Sequence, residues 1–212
     1  MSAGSVRLHG AALAEARQRA NRNARSRKAE MTKALLLIDI QNDYFPGGAM
    51  ELHGSVEAGL QARRLLGCFR RRGLPIFHIQ HIATHTDATF FLPDTAGAAI
   101  HETVRPAPGE TLIQKKHPNS FRGTSLLDQL DRSGVTQLVI AGMMTHMCVD
   151  STTRAAADLG FECVVAHDAC ATRALTFGGI SVMAASVQTA VLATLNGLFA
   201  QVTGVDELIA TS

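Results

Sequence analysis

The sequence predicts a doubly wound α/β domain built on a mainly parallel sheet of six strands. Three observations lead there. Six short apolar runs alternate with stretches of helical spacing between residues 34 and 202. Those runs are continuously apolar rather than alternating, as strands covered on both faces are. An acid, a lysine and a cysteine fall at the carboxyl ends of three different runs, which is where sheets of this kind bind ligands.

The elements follow in order. Ala34 to Ile38 is an unbroken apolar run that delivers Asp39 at its end. Ser55 to Arg72 has helical spacing through Val56, Leu60, Leu65, Leu66 and Phe69, and it stops at Gly73, a good residue for a helix terminus. Pro75 to Gln80 is the second strand. Residues 81–109 then form a connection carrying Phe90, Phe91 and Pro93, longer than an idle loop in a compact domain. Thr111 to Gln114 is a short third strand leading into Lys115-Lys116-His117, and Ser125 to Arg132 is helical. Leu138 to Ala141 is β-branched and too short for a helix, and it breaks at Gly142. Cys148 to Leu159 reads as the next helix, closed by Gly160. A fifth strand at Glu162 to Ala166, a long helix from Gly179 to Leu195 and a last strand at Phe199 to Val202 complete the pattern.

Length and composition suit one domain, spanning 31–212. The chain has 212 residues, 46% of them hydrophobic, enough to bury a full core. Residues 1–30 carry Arg17, Arg22, Arg25, Arg27 and Lys28 with few large apolar side chains, and are expected to be a disordered leader. A net charge of +2 gives no electrostatic case for nucleic acid or a membrane surface, and no apolar run approaches a membrane span. The expected partners are a small-molecule substrate and further copies of the chain. Cys68, Cys148, Cys163 and Cys170 show no C-x-x-C spacing, which suits reduced thiols in a cytoplasm and disfavours dithiol redox chemistry. No glycine-rich phosphate motif follows the first strand, which disfavours a nucleotide-binding module.

The chemistry concentrates at Cys148. A cysteine where a strand turns into a helix meets unpaired amides and the positive end of the helix dipole. Both favour a thiolate and can receive a developing oxyanion. A free cysteine is more often a small buried hydrophobe, and a strand-end aspartate is often only a cap. Asp39 and a lysine beside Cys148 make the functional reading self-consistent: base, nucleophile and cationic stabiliser.

Three segments carry a family resemblance: Asp39-Ile-Gln-Asn-Asp-Tyr-Phe45, then Lys115-Lys-His-Pro-Asn-Ser-Phe-Arg-Gly-Thr-Ser-Leu126, then Ala141-Gly-Met-Met-Thr-His-Met-Cys-Val-Asp-Ser-Thr152. In this order they resemble the signatures of the isochorismatase-like cysteine hydrolases, over residues 33–202. The resemblance implies a three-layer α/β/α sandwich and a triad of Cys148, Asp39 and Lys115. It selects Lys115 over Lys116 by its distance from Phe121. It further implies a cis peptide at Met143-Met144, aiming the Met144 and Cys148 amides at one oxyanion. Isochorismatases proper, which cleave a vinyl ether, lack the cysteine, so Cys148 points to an amide-like C–N bond rather than an isochorismate-like substrate. Nicotinamidases carry an Asp-x-His metal segment. The nearest candidates here, His78, His81 and His85, have no adjacent carboxylate, so neither metal nor cofactor is expected. Phe90, Phe91 and Phe121 are candidates for an apolar substrate wall, with His117 and His146 as further lining residues.

Overall fold

The structure, a computed structural model, describes residues 32–211; the expectation for residues 1–30 lies outside them. Lys33–Ile38 (β1) holds the middle of the sheet, with Ala34 through Ile38 at most 2% exposed. Ile76–His81 (β2) and Thr111–Lys115 (β3) add to one side of it. Gln137–Met143 (β4), Glu162–Ala171 (β5) and, at the far edge, Gln201–Thr203 add to the other. All five ladders are parallel. Strand order therefore reverses between β1 and β4, and the crevice at that switch point opens beyond their carboxyl ends.

Alternate side chains of each strand go to opposite faces, and two cores result. Leu35, Leu37, Val139 and Ala141 pack under Ser55–Arg71 (α1) through Ala58, Ala62, Leu65, Leu66 and Phe69. The helix is thus rotated from its expected face, and Val56 and Leu60 are exposed. Leu36, Ile38, Leu138 and Ile140 pack on the other face. Their partners are Leu126–Arg132 (α2), Asp150–Asp158 (α3) and the end of Ala184–Leu195 (α4). The fold is the expected three-layer α/β/α sandwich.

Two stretches differ from the sequence reading. The long helix does not begin at Gly179. Leu175–Phe177 (β6) and Ile180–Val182 (β7) form an antiparallel hairpin whose turn, Gly178-Gly179, has positive φ at both positions. This is the geometry that matches hairpin twist, and α4 starts only after it. The edge strand Gln201–Thr203 (β8) is followed by a terminal helix, Val205–Thr211 (α5), which covers the α1 face with Val205 and Leu208. β5 also runs five residues beyond Ala166, past a register shift opposite Ile140 to Gly142. Gly142 has φ +145°, and a Cβ there would sit 2.1 Å from the Ile38 carbonyl oxygen, so β4 can close on β1 at the switch point only with glycine.

Candidate active site

Asp39 is the first residue beyond β1, and its amide still donates to the Ile79 carbonyl at 3.0 Å. There the chain turns out of the sheet with φ +52°, a left-handed conformation uncommon for a side chain larger than glycine. Lys115 is the last residue of β3. Its Nζ lies 2.7 Å from Asp39 Oδ2, with both side chains wholly buried, and donates to the Pro118 carbonyl at 3.0 Å. Lys116, one residue later, is exposed. Cys148 belongs to a single π-helical turn, Thr145–Val149, that joins β4 to α3. The Met144 carbonyl fastens this turn by accepting from Met147 N at 3.0 Å and Val149 N at 3.3 Å, and the Met143-Met144 peptide is cis. Three strand ends thus bring Asp39, Lys115 and Cys148 together. An Asp39 carboxylate oxygen, a His81 ring nitrogen and the Cys148 sulfur all lie within 4.8 Å of one another.

The electrostatics correct one expectation. The α-helix proper begins at Asp150, and Cys148, in the π-helical turn that leads into it, is buried rather than exposed. Burial, and then the adjacent Asp39 carboxylate, push the thiol well above its ordinary pKa, outweighing the lowering effect of Lys115. The resting form is a thiol. For Lys115, burial works against the charge, but Asp39 and Cys148 overcome it and the ammonium is held more firmly than usual. His81 is pushed down by burial and is neutral near pH 7.

The histidines considered as metal ligands are separated. His78 is buried within β2, beside β3, with Nε2 2.8 Å from Glu110, an acid also gripped by Arg70 and drawn down to about 2. His81 and His85 face the cavity beside Cys148. The Asp39, His81 and Cys148 donors could converge on an ion, but the Lys115 ammonium already supplies positive charge to the carboxylate at 2.7 Å.

Above Cys148 opens a cavity of about 370 Å³. Tyr44, Phe90, Phe91, Met144 and Met147 form its apolar wall, and Lys116 and Arg173 stand at its rim. Of the phenylalanines considered for a substrate wall, Phe90 and Phe91 line this cavity. Phe121 does not. It stacks on Phe161 with ring centres 6.2 Å apart, on the core behind the site. His146 bonds to Thr172 and lines a separate apolar groove under the β6–β7 hairpin. His117 is half-buried beside His81 and does not reach the cavity lining.

A profile of the isochorismatase domain matches residues 33–207. An uncharacterized isochorismatase family protein of Bacillus subtilis (strain 168) is 50% identical over 172 residues, 81% of this chain and 96% of that protein. The chain belongs to the isochorismatase family of hydrolases. An isochorismatase hydrolase, so designated, from Oleispira antarctica superposes with a TM-score of 0.83 at 50% identity, covering 86% of this chain and 98% of the other. Among more distant relatives is a maleamate amidohydrolase of Pseudomonas putida, 31% identical over 149 residues, 64% of this chain and 70% of that enzyme.

In this isochorismatase-family chain the segment after Asp39 has a second task, which the sequence reading missed. Gln41 Nε2 donates to the carbonyls of His81 (2.9 Å) and Ala98 (2.7 Å), and its Oε1 accepts from His81 N at 2.8 Å. Asn42 Nδ2 donates to Ala96 O at 2.7 Å. Asp43, buried, accepts from Phe91 N at 2.7 Å and from Ala49 N at 3.2 Å. Gly97 packs so closely over this carboxylate that a Cβ would fall 2.2 Å from Asp43 Oδ1. These three residues tie the long 81–109 connection down and hold Phe90 and Phe91 over Cys148. Tyr44, Met147 and Arg173 also face the cavity, a place the sequence reading did not give them, as does His81, considered there only as a metal ligand. Tyr44 and Met147 lie in the motif segments that carry Asp39 and Cys148, a signal that could have found them.

Proposed function

We propose that this hydrolase cleaves an amide-like C–N bond of a small molecule through an acyl-enzyme on Cys148. The observation that carries the reading is the Cys148 thiol at the floor of a 370 Å³ cavity, backed by the buried Asp39–Lys115 pair. A thiol held protonated needs a base at the moment of attack, and Asp39 is adjacent. Asp39 takes the proton as Sγ bonds to the carbonyl carbon. The negative charge that develops on the carbonyl oxygen is met by the Met144 and Cys148 amides. Lys115 stabilises the charged site throughout. Asp39 then gives its proton to the leaving nitrogen, the C–N bond breaks, and ammonia or an amine departs. Water, giving a proton to Asp39, attacks the thioester carbon; the acid leaves and that proton returns to Cys148. The kinship with an enzyme named maleamate amidohydrolase supports the same bond type.

The test is a panel of small primary amides, ureido acids and lactams scored for ammonia or amine release, with intact-mass analysis of Cys148. Turnover by the parent, together with an acyl adduct on Cys148 from an electrophilic amide analogue, is expected. Ordinary turnover by Cys148→Ala, or a Cys148 that only oxidises with peroxide and never acylates, would refute the mechanism.

A further inference from the structure

His81 faces the cavity beside Cys148, and acyl transfer through Asp39 and Cys148 leaves its imidazole unused. It ends β2, in register with Lys115 on β3. Both of its backbone polar groups are held by one buried side chain, Gln41, two residues past Asp39. Gln41 Oε1 accepts from His81 N at 2.8 Å, and Gln41 Nε2 donates to the His81 carbonyl at 2.9 Å. The carboxylate and the imidazole are therefore fixed with respect to each other. The ring lies against Phe91, with ring centres 5.9 Å apart, and neither of its nitrogens has a hydrogen-bond partner among the described residues.

We propose that His81 holds the water that hydrolyses the acyl-enzyme. The inference rests on the Cys148 acyl-enzyme reading and adds a positioning residue to its second half. An Asp39 carboxylate oxygen, a His81 ring nitrogen and the Cys148 sulfur lie within 4.8 Å of one another, a gap that one water spans. In the resting site Asp39 serves the thiol. An acylated sulfur has no proton to offer, so the carboxylate oxygen not engaged by Lys115 turns to water. A water that donates to one acceptor alone still pivots about that bond, and a second acceptor aims its lone pair at the thioester carbon. Lys115 is a donor only, and among the described residues no other acid or imidazole joins this cluster. His81 can accept because it is neutral near pH 7: burial lowers its pKa, outweighing the opposing Asp39 carboxylate, and Lys115 and His117 act in the same sense as burial. The water oxygen bonds to the thioester carbon as one hydrogen passes to Asp39; the other, donated to His81, stays on the new acid. The C–S bond then breaks and Asp39 returns its proton to Sγ.

The experiment uses p-nitrophenyl acetate as acyl donor to the parent, His81→Ala and His81→Gln, all of which keep Asp39, Lys115 and Cys148. Acetylation is read as p-nitrophenolate release with protein in excess, against a Cys148→Ala blank. Deacetylation is read as loss of the acetyl group from Cys148 by mass spectrometry. His81→Ala is expected to slow deacetylation by roughly tenfold or more, with acetylation little changed, so that acetyl-Cys148 accumulates. His81→Gln, whose amide oxygen still accepts, should recover part of the loss. Hydroxylamine, a stronger nucleophile than water, should discharge the acetylated parent and acetylated His81→Ala at similar rates. Acetyl-Cys148 that hydrolyses in His81→Ala at the parental rate would overturn the inference and leave the acyl-enzyme standing. So would acetylation and deacetylation that fall together, or discharge by hydroxylamine slowed as much as hydrolysis, because either places the defect in the shape of the site rather than in the water. A parent Cys148 that never acetylates would remove the acyl-enzyme itself and this inference with it.

Discussion

Lys115 Nζ and Asp39 Oδ2 are 2.7 Å apart in a site that solvent reaches at neither side chain. Such a pair stabilises little relative to an apolar equivalent, because desolvating two charges offsets most of their attraction, but removing one partner strands the other. Lys115→Met and Asp39→Asn are each expected to lower stability by about 3–5 kcal/mol. In a domain of this size that is a fall of roughly 6–20 °C in melting temperature. Asp39→Leu combined with Lys115→Met should recover much of the loss while turnover stays abolished. Calorimetric melting of the three variants checks this, and a double variant no more stable than the singles would contradict it.

Asp43 touches no part of the cavity, yet it holds one wall of it. Asp43→Ala leaves the buried Phe91 amide without its acceptor, a loss of about 1–3 kcal/mol, and frees the segment carrying Phe90 and Phe91. The expected result is a KM raised severalfold with a smaller fall in kcat, since Asp39, Lys115 and Cys148 are untouched. A fall in kcat with KM unchanged would place Asp43 in the chemistry rather than in positioning.

The sheet and the strand ends that form the candidate site were legible because strands buried on both faces leave short, continuously apolar runs, and because three of those runs lead into Asp39, Lys115 and the Cys148 turn. What the sequence hid were features that depend on contacts far along the chain. Ile180 to Val182, the second strand of the Gly178-Gly179 hairpin, reads as the start of a helix because it is three residues long and runs straight into the helical Ala184–Leu195. Phe121 and Phe91 are equally apolar in sequence. Phe91 reaches the cavity only because Asp43, 48 residues earlier, grips its amide, whereas Phe121 is drawn to Phe161. Arg173 gave no signal at all, since its place depends on β5 running five residues past its apolar core.

Three buried thiols give the fold an alkaline weakness. Burial pushes Cys163 and Cys170 up to about 12 each, and Cys148 higher still. In the unfolded chain these thiols titrate near ~8.5. Between those limits the unfolded chain has released protons that the native state retains. Their contribution to stability is therefore complete below about pH 8.5 and declines as pH rises towards 12, by up to about 1.4 kcal/mol per pH unit for each thiol. Lys115, also raised, acts in the same sense at the upper end of that window. Urea midpoints under reducing conditions should fall between pH 8 and pH 10, and Cys163→Ala should flatten the slope. Equal slopes in parent and variant would show that Cys163 ionises as readily in the fold as outside it.

The state of the Cys148 thiol in the free protein separates two ways of making a cysteine nucleophilic. If the turn alone generated a thiolate, as its place between strand and helix first suggests, Cys148 would alkylate quickly even in mild acid. Its burial and the negative charge of Asp39 act the other way; in the mechanism proposed above, ionisation is coupled to substrate arrival, with Asp39 taking the proton. Iodoacetamide, small and uncharged, fits a 370 Å³ cavity without help from the rim cations. At pH 7.5 its rate with Cys148 is expected to be at least tenfold below that of an exposed model thiol, rising with pH and showing no plateau near neutrality. Asp39→Asn removes the nearby negative charge and leaves Lys115, so alkylation should accelerate in that variant even as amide turnover is lost. Opposite movements of the two rates cannot arise from a general loosening of the site, which would slow turnover and expose the thiol only in proportion to unfolding. Rapid alkylation of the parent at pH 6, with Asp39→Asn no faster, would instead mean a standing thiolate and would leave Asp39 without its part as the base.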